Sequence, residues 1–193
     1  MCKFSEDSRQ KLGNAVIYIA NHTEQLSKTK LLKLLFLMEE YMVKRYHVPF
    51  MGLPFEIWQA GPVAKDIFID LSDGPFLLKD FVKTEVQKDA TYIRAIKPFC
   101  DDEFADCEME MMDEIIRKYG KKTAKQLVAE VHKEGSLWFN AAKKHGLLTA
   151  FNKGLCNNSD YTIDFSEELS DCAREDYKES LAIHQTANIL KAQ

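Results

Sequence analysis

Five histidines, five cysteines and a run of acidic residues are the side chains of this chain that could carry chemistry. No HExxH motif occurs and no two histidines stand four residues apart, so no helix face would present two imidazoles to a metal ion. The cysteines are odd in number, widely spaced and without a CxxC motif, which predicts neither a disulfide framework nor a zinc ribbon. A cysteine–histidine pair formed by distant segments stays open, but inert thiols are the simpler interpretation. We therefore predict no catalytic residue, no metal ion and no cofactor.

Two charged segments suggest alternative functions. The acidic cluster from Asp101 to Glu114 could serve a metal- or carboxylate-dependent hydrolase or nuclease, although a solvated helix face with acids near the helix N-terminus explains it more simply. The segment RKYGKKTAKQ is basic and could contact phosphates in a DNA-binding autoregulator, although a solvated turn is the simpler interpretation. The candidate nucleic-acid contacts in it are Lys118, Lys121, Lys122 and Lys125.

The composition is that of a soluble globular protein. The 193 residues are 46% hydrophobic and 29% charged, and 26 basic against 30 acidic residues give a formal charge of −4. A dedicated nucleic-acid binder would usually be basic, so nucleic acid is not an expected partner. No window approaches the roughly 20 apolar residues of a membrane helix, and the N-terminus has no apolar signal core. These features predict a cytoplasmic protein without a membrane partner.

The stretch FEIWQAGPVAKDIF, residues 55–68, allows two interpretations. Gly61 and Pro62 fit the start of a helix that runs to about Leu71, after a short strand. Trp58 would then pack in the core. Alternatively, Trp58 and the loop at 47–54 rim a groove that receives a peptide of a partner protein. The candidate partner-binding residues are Trp58, Gln59, Gly61 and Pro62.

Helices must position these residues. The spacing predicts a helix over 5–20 and a second that begins after Ser27 and ends near Tyr46. Leu31, Leu34 and Leu35 recur at intervals of three and four in the second helix and should form the centre of the core. The same spacing predicts that Lys30, Lys33, Glu40 and Lys44 point away from that core.

The rest of the chain predicts a β-hairpin near 82–98 and helices that begin after Thr123 and Ser136. We predict a mainly α fold, one helical domain with a small antiparallel β element (α+β), over residues 1–146. Residues 147–193 should form a C-terminal extension, a loop followed by a polar helix from Ser166, docked on the same domain.

Three segments, in this order, resemble the Panacea, or SocA-like, antitoxin domain family: TKLLKLLFLMEEYMVKRY, PFEIWQAGPV and YGKKTAKQLVAEVHKEGSLW. They match that family's KLxKLLY-type helix, its W-x-x-GPV segment, and its later helix followed by a His and a Trp. The resemblance covers about residues 10–145. The matching positions are Lys30, Leu31, Lys33, Leu34, Leu35, Phe36, Trp58, Gly61, Pro62, Val63, Tyr119, Gly120, Leu127, His132 and Trp138.

Two departures from the family pattern involve three positions. Family members often carry an Asp and a His soon after the first motif, where this chain has Glu39 and Met42. Phe36 replaces a usual Tyr and so lacks a hydroxyl. Both departures weaken a polar site built on these positions.

The resemblance implies a mainly α domain and a non-enzymatic role: neutralising a cognate toxin, by direct binding or by delivering it to a protease. A protease or chaperone would then be a second partner. Family members occur on bacterial chromosomes and in phages and are paired with many unrelated toxins, so the resemblance identifies neither the toxin nor the oligomeric state.

His132 and Trp138 stand at a predicted corner between two helices. We predict that the two side chains pack across this corner as a structural element and that His132 donates a hydrogen bond to a backbone carbonyl. A ligand-binding role for His132 is the alternative.

Overall fold

The computed structural model describes residues 4–72, 74–88 and 90–191. In these ranges it confirms the mainly α fold with small antiparallel β elements. The α-helices are α1 Glu6–His22, α2 Lys28–Tyr46, α3 Lys65–Asp70, α4 Asp106–Tyr119, α5 Ala124–Val131, α6 Leu137–Lys144, α7 Leu147–Asn152 and α8 Asp171–Lys191, and a 3-10 helix spans Phe165–Glu168. The strands are β1 Glu56–Trp58, β2 Gly61–Val63, β3 Val82–Gln87 and β4 Ala90–Ala95.

Helix α2 lies at the centre of the fold. It begins where Ser27 Oγ accepts a hydrogen bond from the N–H of Lys30 (3.3 Å), which satisfies one of the free donors of the first turn. Leu31, Leu34 and Leu35 are fully buried, and the helix contacts α4, α5 and β2. This central position follows from the apolar residues that α2 presents on nearly every side.

The prediction that Lys30 and Lys33 point away from the core is wrong. Both side chains are buried, and each amino group donates to at least one backbone carbonyl oxygen. Lys30 Nζ donates to Gly120 O (2.7 Å) at the end of α4 and to Glu24 O (3.2 Å). Carbonyls at a helix C-terminus carry a partial negative charge, so they are suitable partners for a buried cation.

The predicted helix start at Pro62 is also wrong, because Gly61 and Pro62 belong to a β-hairpin. Strands β1 and β2 pair antiparallel across a two-residue turn, with Ile57 opposite Pro62 and Trp58 opposite Gly61. Gly61 has φ +97°, a conformation that suits glycine. Pro62 is tolerated because β2 is a short edge strand. Helix α3 begins only at Lys65.

The second hairpin forms where the sequence predicts it. Strands β3 and β4 pair antiparallel from Val82 opposite Ala95 to Gln87 opposite Ala90. The outer edge of β4 is covered, because Ile93 N–H donates to Leu26 O (2.8 Å) just before α2. This bond ties the hairpin to the start of the central helix.

The segment after α7 packs against the first hairpin. Ile57 N–H donates to Tyr161 O (2.9 Å), and Ile163 N–H donates to Phe55 O (2.8 Å), so residues 157–163 run along the edge of β1. Phe165 then packs against Phe36 and Phe55 in the core.

The predicted start of the last helix at Ser166 is wrong. Asp164 Oδ1 accepts a hydrogen bond from the N–H of Ser166 (2.9 Å) and begins the 3-10 helix instead. Leu169, at its end, has extended backbone angles that interrupt the helix, and α8 starts at Asp171. Among the side chains of α8 that the structure describes, those of Ala173 and Tyr177 are buried.

Among the described helices, none is long and apolar enough to cross a membrane. The cysteines that the structure describes, Cys100, Cys107, Cys156 and Cys172, are free thiols, and Cys2 lies outside the described residues.

Candidate functional site

The three sequence segments meet at the first hairpin, which Lys33 and Trp138 both contact. The side chain of Lys33 is only 1% exposed, and Nζ donates to Pro62 O (2.8 Å) in strand β2. Burial lowers the pKa of Lys33 to about 7, because an ammonium loses its hydration in the core. A methyl group on Gly61 would lie 2.8 Å from Lys33 Cε, so only glycine leaves room for this side chain. Lys33 therefore holds the first hairpin against α2.

Trp138 joins the third segment to the same hairpin. Its indole N–H donates to Trp58 O (3.1 Å), and its side chain is buried. The ring of His132 stacks on the Trp138 ring, with centroids 3.8 Å apart and planes inclined by 12°. The corner between α5 and α6 thus packs against the end of β1, next to the turn between β1 and β2.

The hydrogen bond predicted from His132 to a carbonyl does not form. His132 Nε2 is buried and has no hydrogen-bond partner among the described residues. Burial, followed by the positive charge of Lys33, lowers the pKa of His132 to about 4, so the imidazole is neutral at physiological pH.

Trp58 lies at the boundary between core and solvent. Its side chain is half-buried, its indole N–H donates to Glu56 Oε2 (2.8 Å), and its ring meets Phe68 edge-on at 5.0 Å. Gln59 and Ala60 form the exposed tip of the hairpin, and Gln59 Nε2 donates to Phe151 O (3.1 Å). A cavity of about 260 Å³ opens beside this tip, and its lining includes Gln59, His132, Trp138, Phe139, Leu148 and Phe151.

Glu39 is a structural residue that the sequence interpretation missed. Its carboxylate is buried and accepts three backbone N–H groups, from Phe50 (3.1 Å), Met51 (2.9 Å) and Gly52 (3.1 Å). Burial raises the pKa of Glu39 to about 7, although the three N–H donors oppose that rise. Glu39 thereby fixes the loop after α2, a role that depends on contacts eleven to thirteen residues away.

The residues of the acidic cluster bond to several different side chains. Glu108 pairs with Lys11 (2.6 Å), Asp113 accepts from the hydroxyl of Tyr18, and Glu114 accepts from the hydroxyl of Tyr41 (2.6 Å). These bonds join α4 to α1 and α2. Across the described part of the chain, no group of His, Cys, Asp and Glu side chains has the arrangement to hold a metal ion.

The four lysines proposed for nucleic-acid contact lie around the start of α5. Lys118 and Lys122 each lie 5.0 Å from the centre of the Tyr119 ring, and Lys122 also pairs with Glu130 (2.6 Å). Lys121 and Lys125 are exposed. Glu130 thus places an acid within this basic surface.

The family model for the antitoxin SocA-like, Panacea domain matches residues 31–139, more than half of the chain. The protein belongs to this family, and the membership suggests an antitoxin role. The matched region contains Lys33, Trp58, Gly61, His132 and Trp138, the residues that converge on the first hairpin. No curated protein and no solved structure matches the chain.

Proposed function

We propose that this protein is a non-enzymatic antitoxin that neutralises a cognate toxin by binding it directly. We further propose that the tip of the first hairpin, with Trp58 and Gln59, belongs to the contact surface. The observation that carries this proposal is the convergence of the three family segments on that hairpin, through the bonds Lys33 to Pro62 and Trp138 to Trp58.

The support beneath the hairpin suits a binding surface. On the core side, Lys33 and Trp138 donate hydrogen bonds to the hairpin backbone. Residues 157–163 are hydrogen bonded to the edge of β1. A tip held in this way needs little ordering when a partner docks, which favours affinity. Trp58 supplies a partly exposed aromatic ring, the kind of side chain that often dominates the energy of protein contacts.

The first test uses the product of the reading frame next to the gene as the candidate toxin. Co-expression with this protein should restore growth that the neighbouring product alone arrests. The two purified proteins should also form a complex, and the toxin should lose its activity in that complex without a protease present. Neutralisation that requires an intact protease in the cell, with no inhibition in the purified mixture, would support delivery to a protease instead. Metal-dependent hydrolysis of nucleic acid by the purified protein alone would replace the proposal with the enzyme alternative.

The second test uses Trp58→Ala. Because Trp58 is only half-buried, the variant should stay folded and lose about 1–2 kcal/mol of unfolding free energy, less than a fully buried aromatic would. Toxin binding, measured by titration calorimetry, should weaken about 30-fold, as expected for a loss of roughly 2 kcal/mol at a central aromatic contact. Phe76→Ala is the matched control, since Phe76 is 73% exposed and lies outside the hairpin. A folded Trp58→Ala protein that binds the toxin normally would remove Trp58 from the contact surface.

A further inference from the structure

Strand β3 has an open edge. Ile93 N–H points away from β3, because it donates to Leu26 O (2.8 Å) on the far side of β4. In an antiparallel ladder, both residues of such a pair point their backbone groups outward, so Thr84, opposite Ile93, also points outward from β3. Val86 does the same two residues later. Within the described ranges, no group bonds the backbone N–H or C=O of Thr84 or Val86 beyond the hairpin.

The side chains along this edge combine an exposed apolar residue with a charged pair. Val86 is 75% exposed, although it shares a face of the strand with the buried Val82. Lys83 and Glu85 lie on the opposite face, where Lys83 Nζ is 3.2 Å from Glu85 Oε1. Exposed edges of this kind attract another strand unless charges oppose the approach.

The charges of strand β3 are complementary to those of a second copy of the same strand in antiparallel orientation. In an antiparallel pair centred on Thr84, Lys83 lies opposite Glu85 of the second copy, and the reverse pair forms on the other side of the two-fold axis. The exposed Val86 lies opposite Val82 of the second copy and is covered. Opposite charges directly across two strands stabilise the pairing.

We propose that the β3 edge is an interaction surface for a second copy of this chain, joined by antiparallel pairing centred on Thr84 into a four-stranded sheet. Thr84 N–H donates to the Thr84 carbonyl of the second copy, and Val86 N–H donates to the Val82 carbonyl of that copy, each with its symmetric counterpart. The N–H of Val82 takes no part, because it already donates to Leu78 O (3.0 Å). Pairing of Thr84 with Val86 instead would place Glu85 against Glu85, so charge selects the first register.

The test measures the mass of the purified chain in solution. A single strand edge buries little surface, so the mass by sedimentation equilibrium should rise from one copy towards two between about 10 and 500 μM. Amide exchange at Thr84 and Val86 should slow at least threefold over the same range. A mass of one copy throughout would contradict the proposal.

Two charge-reversal variants test the proposed pairing. Lys83→Glu places acid against acid across the axis, and Glu85→Lys places base against base, so each variant alone should stay at the mass of one copy. An equimolar mixture should form the heterodimer, because both crossing pairs then have opposite charges. Circular dichroism of each variant checks that the hairpin still folds. Single variants that pair as the unchanged chain does, or a mixture that never pairs, would overturn the assignment. So would protection of this edge only by the neighbouring toxin, which would assign the edge to the toxin.

Discussion

The amino group of Lys33 lies in the core with one backbone acceptor, Pro62 O. Because burial lowers its pKa from 10.5 to about 7, the unfolded chain binds a proton that the folded chain releases between these pH values. Stability should therefore rise by about 2 kcal/mol from pH 7 to 9 through this residue. Urea unfolding of Lys33→Met should lack this rise, whereas Lys178→Met, a change at an exposed lysine, should keep it. Identical pH profiles for Lys33→Met and the unchanged chain would place the amino group in water.

His132 and Glu39 should act in opposite directions below pH 7. The lowered pKa of His132, about 4, makes stability rise with pH from 4 to 6.5, because the unfolded histidine holds the proton more tightly. The raised pKa of Glu39, about 7, makes stability fall from pH 4.5 to 7, because here the folded state holds the proton more tightly.

Single variants should separate these two effects. His132→Phe keeps an aromatic ring on Trp138 and should leave a profile that falls from pH 4.5 to 7. Glu39→Gln should leave a rising one. Glu39→Gln should also cost about 1–3 kcal/mol at low pH, because an amide oxygen cannot accept all three N–H groups. Urea unfolding at closely spaced pH values measures both variants, and a His132→Phe profile that still rises would contradict the assignment to His132.

At the scale of single residues, local chemistry was predictable and distant partners were not. Ser27, Thr123 and Ser136 cap their helices as the sequence predicts, because a cap involves groups only three residues apart. The buried positions of Lys33 and Glu39 could not be predicted from the sequence, because polar side chains usually face solvent. The acceptor of Lys33 and the donors to Glu39 also come from other parts of the chain.

The stability of the first hairpin depends on the free space beside the Cα atom of Gly61. In Gly61→Ala, the new methyl group would approach Lys33 Cε to 2.8 Å and Val131 Cγ2 to 3.0 Å, and the residue would keep φ +97°. We expect a loss of about 2–5 kcal/mol, from backbone strain and overpacking together. Gly135→Ala is the matched control, since its φ is +85° and nothing lies within 4 Å, so it should lose only the backbone part, about 1–2 kcal/mol. Thermal melts of both variants measure the difference, and equal losses would show that Lys33 moves aside freely.

At the scale of elements, the second hairpin was predictable and the first was not. In the second, two β-prone runs flank a polar turn, a pattern that only a hairpin explains well. In the first, Gly61-Pro62 before a helical pattern fits a helix start equally well. Contacts with distant segments decide that Gly61 and Pro62 form a hairpin and not a helix start. Residues 157–163 pair with β1, and Lys33 donates to Pro62 O, and no local sequence pattern contains these contacts.

At the scale of the whole molecule, the family match ends at residue 139, but the packing around the first hairpin continues beyond it. Residues 157–163 bond to β1, and Phe165 contacts Phe36 in the matched helix α2. The proposed division into a domain over 1–146 and an extension over 147–193 thus raises the question of whether the first part folds alone.

We expect that it does not. A chain cut after Gly146 loses the buried side chains Phe151, Ile163 and Phe165, each of which should contribute about 2–5 kcal/mol. Their sum is comparable to the 5–15 kcal/mol that stabilises a typical domain, so residues 1–146 should show no cooperative urea transition. A chain cut after Ser170 keeps all three and should unfold cooperatively at a lower urea concentration than the full chain, because only α8, with Ala173 and Tyr177, is lost. Cooperative unfolding of residues 1–146 with native-like helicity would instead show that the C-terminal segment is an addition to a self-sufficient domain.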